Sequence, residues 1–133
     1  MIAKKNDIVT TCTVEGYTEA FKLWLELTEH VHGLTDTEMD VLSILLRKRH
    51  ELSPKINDEE LLNEYLFSNT KLRKEITKEL GMENETRLPN VLSLLRKKGA
   101  IVGNIIHPAF IPAVTQDFKE FSVKFIIKVD DKG

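Results

Sequence analysis

Residues 69–101, NTKLRKEITKELGMENETRLPNVLSLLRKKGAI, carry two apolar stripes that constrain the fold more than any other stretch. Leu72, Ile76 and Leu80 recur at i, i+4 and i+8, which puts them on one side of a helix. Gly81 follows where a left-handed C-cap costs least. Leu88, Leu92 and Leu95 make the second stripe, with Val91 beside it, and Gly99 closes that helix. Helices this short are marginal alone in water, so the two must bury their stripes in a shared core. Joined by a tight Gly turn, they are expected to cross steeply, as a helix-turn-helix does.

The flanks supply more elements. Residues 7–14, DIVTTCTV, are rich in β-branched side chains and predict a short strand. From Thr18 to about His32 a helix is expected, with Ala20, Phe21, Trp24, Leu25 and Thr28 facing inward, and Gly33 stops it. Trp24, the single tryptophan, reads as a core or interface anchor. Thr35-Asp36-Thr37-Glu38 is a capping box, in which a hydroxyl and a carboxylate satisfy orphan amides at a helix start. The helix it opens has Met39, Leu42, Leu45 and Leu46 inward, and Ser53-Pro54 ends it. Asp58 caps a further short helix carrying Leu61, Leu62, Tyr65 and Leu66, either an insertion or a lid.

After Gly99 the period changes. Residues 100–106 read as one strand, and residues 121–129, FSVKFIIKV, alternate with Phe121, Val123, Phe125, Ile127 and Val129 on one face. The connection 107–120 is long for a hairpin and contains Phe110 and Ile111, so part of it should pack down. The expected class is mainly α with a small antiparallel β-sheet, α+β, in one domain spanning 1–133. Within it, 1–33 form an N-terminal strand-and-helix extension, 34–101 a helical core with the helix-turn-helix at 69–98, and 100–130 a two-stranded wing.

Two passages carry a family resemblance. Ile76-x-x-x-Leu80-Gly81-Met82 followed by Leu88-x-x-x-Leu92-x-x-Leu95-Arg96-Lys97-Lys98-Gly99-Ala100-Ile101 resembles a winged helix-turn-helix. "LLRKKGAI" is similar to the end of the recognition helix and first wing strand of MarR-like and related bacterial and phage regulators, and "LTDTEMDVLSILL" is similar to their first helix. The resemblance implies a DNA-binding transcriptional regulator that pairs as a homodimer through terminal elements. The Trp24 helix is the first candidate for that contact and the C-terminal strand the second. Two departures stand out: a turn one residue longer between Met82 and Leu88, and Pro89 within the recognition helix.

The charge distribution agrees with such a partner. The net charge is −2, but residues 1–66 hold −6, residues 67–101 hold +4 and residues 102–133 balance. A local basic patch sets the footprint on phosphate, whatever the overall pI. On the first helix of the motif Lys71, Lys74 and Lys78 share the face away from Leu72 and Ile76, with Arg73 to the side. Glu75 and Glu79 form a neighbouring acidic stripe that bounds a DNA face. On the second helix Arg87, Asn90 and Lys97 lie opposite the apolar stripe, with Leu94 among them. A proline is tolerated only in a helix's first turn, so Pro89 starts this one near Thr86, capped by Thr86 or Asn84. Arg87 and Asn90 then fall in the first turn, where they can read guanine and adenine edges. Arg96, Lys97 and Lys98 are expected on phosphate.

Other functional classes find little support. His30 and His32 point to different sides of a helix, His50 and His107 stand apart, and Cys12 has no histidine near it in sequence. Asp58-Glu59-Glu60 is better explained as a cap than as a metal cluster, and no phosphate-cradle, nucleophile-elbow or zinc-protease motif occurs. No enzymatic activity, cofactor or metal is expected. A lone cysteine fits a reducing compartment, no apolar run approaches the roughly 20 residues of a membrane span, and MIAKKNDIVTT lacks an apolar secretion core. The expectation is a cytoplasmic binder of double-stranded DNA, with no membrane partner. The alternative is a protein partner: a phage virion or assembly component on the same scaffold, with 107–120 as its contact.

Overall fold

A computed structural model describes residues 9–82 and 86–131. Among them are six α-helices: α1 (Tyr17–Leu27), α2 (Glu29–His32), α3 (Asp36–Leu52), α4 (Glu59–Ser68), α5 (Thr70–Glu79) and α6 (Arg87–Lys97). Two short strands follow, β1 (Ile101–Val102) and β2 (Ile105–Ile106), then a 3-10 turn at Pro108–Phe110. The class is α+β, mainly helical with a two-stranded antiparallel sheet.

The hub is α3, against which α1, α4 and α6 all pack. Its capping box forms as expected: the Thr35 hydroxyl accepts from the Glu38 amide, and the Thr35 amide donates to Glu38 Oε1 at 2.9 Å. The helix buries Met39, Leu42, Leu45 and Leu46, and also Val41, Ser43 and Ile44. So wide an apolar band is what a helix surrounded by three others requires. Asp58 caps α4 through the amides of Glu60 and Leu61. Leu62, Leu66 and Phe67 are buried, whereas Leu61 and Tyr65 stay exposed. α4 packs on both α3 and α5 and adds a layer to the domain.

Both glycine stops operate. Gly81, at φ 67°, donates to the Lys78 carbonyl while Met82 donates to that of Thr77, the paired bonds of a Schellman cap. Gly99 repeats the pattern at the end of α6. Leu72, Ile76, Leu88, Val91, Leu92 and Leu95 join one core with the α3 residues, and Leu80 packs partly against it.

Several expectations fail for lack of partners. Residues 9–14 form no strand: Val9 is 88% exposed, and no strand pairs with them among the described residues, while residues 7 and 8 fall outside those. The helix expected over 18–32 is divided at Thr28, whose hydroxyl donates to the Trp24 carbonyl at 2.9 Å. Residues 100–106 are a hairpin instead of one strand. Gly103, at φ 64°, opens the two-residue turn Gly103-Asn104 that pairs Val102 with Ile105. The wing strand expected at 121–129 forms no ladder among the described residues, and Phe125, Ile127 and Val129 are exposed, not inward. Alternation specifies a face, but a strand also needs an edge to bond, and the hairpin offers two residues a side.

Residues 107–120 form a strap over α1 and the end of α3. Trp24 Nε1 donates to the Phe110 carbonyl at 2.9 Å, Gln116 Nε2 donates to the His50 carbonyl at 2.8 Å, and Phe118 is buried against Tyr17, Phe21 and His50. The tryptophan is thus an anchor within the chain. His50 Nε2 meets the Gln116 carbonyl at 2.6 Å, and His32 bridges Leu25 and Leu34, so both histidines hold turns in place.

Candidate nucleic-acid interface

The basic face is assembled from α5 and α6. On α5 the core takes Leu72 and Ile76, which turns Lys71, Lys74 and Lys78 outward; all three are exposed and have no hydrogen-bond or ion-pair partner among the described residues. Lys74 and Lys78, four apart, repel each other weakly, a small cost that a bound anion would offset.

The acidic stripe beside them is neutralised from behind. Arg47 of α3 donates to both oxygens of Glu79 at 2.6 and 2.7 Å, and Lys48 reaches Glu75 at 3.4 Å. Arg73 Nε bonds the Phe67 carbonyl, tying α5 to the end of α4. The carboxylates expected to bound the face therefore carry cations of their own. What projects from α5 is net positive.

On α6 the core takes Leu88, Val91, Leu92 and Leu95. Thr86 is the N-cap residue, Arg87 the first helical residue and Pro89 the third, so the proline lies in the first turn as expected. Asn84, the other cap candidate, lies outside the described residues, as does most of the longer turn. Arg87, Asn90 and Lys97 are exposed on the side away from the core. Ser93 shares that side, three residues after Asn90; its plainness in the sequence hid it, although the spacing already placed it there. Leu94, 46% exposed, flanks the same face.

Two expected phosphate ligands are engaged elsewhere. Arg96 Nε donates to the Gly103 carbonyl at 3.1 Å and braces the hairpin turn against α6. Lys98 Nζ donates to Glu38 Oε1 at 2.6 Å and to the Gly33 carbonyl at 3.3 Å. The Lys98 ammonium thereby fastens the end of α6 to the start of α3.

Glu38 is only 2% exposed. Burial by itself would raise its carboxyl pKa, but the bonds from Lys98 and the Thr35 amide outweigh it and hold the group below its ordinary value of 4.5. A lowered folded-state pKa stabilises the fold above the unfolded value, and that stability is lost as pH falls through the folded one. Glu38→Gln should thus cost about 1–2 kcal/mol at neutral pH, with the difference from the parent shrinking below about pH 4. Urea midpoints at the two pH values measure it, and an equal loss at both would contradict this role.

Between α5 and the first turn of α6 lies a cleft of about 440 Å³. Arg73, Lys74 and Lys78 line one side and Met82, Leu88 and Pro89 the other. This face is thus a cationic shelf beside a partly apolar furrow. Among the described residues no helix is long and apolar enough to cross a membrane. The chain matches no protein-family model, no curated protein and no solved structure.

Proposed function

We propose that this chain is a non-enzymatic binder of double-stranded DNA, a small transcriptional regulator of winged helix-turn-helix type. In this reading α6 enters the major groove, α5 lies across the phosphates and the β1–β2 hairpin is the wing. The observation that carries it is the asymmetry of pairing: Lys71, Lys74, Lys78, Arg87 and Lys97 are exposed without partners among the described residues, while Glu75 and Glu79 are matched by α3. The order α3, α5, α6 and then a hairpin supports the winged arrangement, with α4 as an added layer.

Arg87 and Asn90 are the base-reading residues, because they occupy the exposed first turn of α6. Arg87→Ala or Asn90→Ala should each reduce discrimination at one base pair by about 1–3 kcal/mol. A binding-site selection on random duplexes, parent against variant, reads this out. Unchanged preference in both variants would leave α6 without a reading role. Titration of mixed-sequence duplex at two salt concentrations tests the class itself, with log K falling by about 0.9 per phosphate contact for each decade of salt. Folded protein that fails to bind duplex at low salt ends the proposal.

A second reading, a protein-interaction or virion-assembly scaffold, is favoured by Leu94 and Pro89, which expose apolar surface on α6. It no longer rests on 107–120, because that strap turns Phe110 and Phe118 toward the body of the domain.

A further inference from the structure

The cleft between α5 and α6 has two walls of opposite character. One is a single face of α5, where Thr70, Arg73, Lys74, Thr77 and Lys78 recur at helical spacing. The other is apolar, made by Met82 and by Leu88 and Pro89 in the first turn of α6. No carboxylate lines the space, and Glu75 and Glu79 of the same helix are paired with Lys48 and Arg47 of α3. Three cations therefore line one volume of about 440 Å³, within the roughly 300–1,000 Å³ of small-molecule sites. Arg73 commits Nε to the Phe67 carbonyl, which anchors its guanidinium and leaves both Nη groups without a partner among the described residues. Lys74 and Lys78 are free of partners there as well.

We propose that this cleft binds a small phosphomonoester carrying a compact aryl or alkyl body. The phosphate sits on Arg73, Lys74 and Lys78, and the body lies against Met82, Leu88 and Pro89. A guanidinium and two ammonium groups with unused donors suit an oxyanion of more than one charge. A phosphomonoester carries about −1.5 to −2 at pH 7 and three acceptor oxygens, whereas a backbone phosphodiester carries one charge. The apolar wall selects against a bare anion, and the unbranched thioether of Met82 adapts to whatever body lies on it. Lys74 and Lys78 are also the proposed contacts of duplex phosphate. A bound ligand thus occupies two cations of the DNA face and adds negative charge to it. That consequence rests on the DNA-binding reading; occupancy of the cleft does not.

The test titrates the full chain with 1-naphthyl phosphate, and separately with its two halves, inorganic phosphate and 1-naphthol. Calorimetry gives affinity and amide chemical shifts give the place. The expected Kd is on the order of 0.1–1 mM, with shifts centred on residues 70–82 and 88–89. Each half should bind at least about tenfold more weakly. Thr70→Glu should weaken 1-naphthyl phosphate by a similar factor and leave the helical circular dichroism unchanged. Thr70 is exposed, and a carboxylate in a helix's first turn is favourable. Thr77→Phe fills the cleft without removing a cation and should also abolish tight binding. Either half binding as well as the whole, shifts centred elsewhere, no binding at millimolar probe, or affinity that survives both variants each overturns the site. With the cleft saturated, duplex affinity should fall at least about tenfold. Equal duplex affinity with and without bound probe overturns the shared use of Lys74 and Lys78. A chain that binds the probe but no duplex upholds the site and ends the DNA-binding reading.

Discussion

Lys74→Glu combined with Lys78→Glu is expected to weaken binding to mixed-sequence duplex DNA on the order of 10²-fold at low salt. Each lysine that meets a phosphate releases about one counterion, worth roughly a factor of ten or more at about 50 mM salt, and two such contacts multiply. Because both side chains are exposed and lack partners among the described residues, the fold should survive the exchange. Neither residue reaches a base in the proposed arrangement, so the loss should be uniform across sequences and the salt slope should drop by about 2. Lys55→Glu with Lys119→Glu changes net charge equally at exposed positions outside α5 and α6, and should cost far less. Equal losses in the two double variants would show that overall charge, not this face, governs binding. Fluorescence anisotropy at two salt concentrations separates the outcomes.

The largest effect on stability is expected at Leu95. It is 0% exposed, on the α6 face that packs against α3 and β1. Leu95→Ala should cost about 3 kcal/mol, within the roughly 2–5 kcal/mol range of such truncations, because a close-packed site relaxes only partly around the lost atoms. The adjacent Leu94 is 46% exposed, and Leu94→Ala should stay within about 0.5 kcal/mol. Urea unfolding followed by circular dichroism measures both, with a shifted midpoint and an unchanged slope for Leu95→Ala. Comparable losses at the two positions would mean that α6 is not seated as described. DNA binding by Leu94→Ala is informative in its own right: a gain or no change fits a base-reading face, whereas loss of a protein partner fits the interaction scaffold.

Much of the helical layer was legible because helix signals are local. Thr35 and Glu38 lie within one turn of each other, and so do Asp58 and the amides it caps. Gly81 and Gly99 sit directly after the stripes they terminate. Pro89 restricts the start of α6 by its own ring. The β expectations were weaker for the converse reason. Residues 9–14 and 121–129 have strand-like side chains, but strand pairing depends on a neighbour that the stretch does not contain. The hairpin at 101–106 turns on Gly103-Asn104, a two-residue turn signal set inside an otherwise apolar run.

The candidate site divides in the same way. Helical periodicity placed Lys71, Lys74, Lys78, Arg87, Asn90 and Lys97 on outward faces, and the fold leaves them there. Which charges stay free was decided by contacts between residues far apart in the chain. Arg47 and Glu79 are 32 residues apart, and Lys98 and Glu38 are 60 apart. Pairing α5 with Arg47 and Lys48 of α3 neutralises the acidic stripe, and seating the end of α6 over the capping box gives Lys98 a carboxylate partner in Glu38. Sequence alone determined the apolar stripes of α3, α5 and α6, the caps at Thr35, Asp58, Gly81 and Gly99 and the outward side of Lys71, Lys74, Lys78, Arg87, Asn90 and Lys97, because these follow from spacings within a few residues. Only the tertiary structure decided which cations face solvent unpaired and which strand-like segments lack a partner, because both depend on what the fold brings alongside.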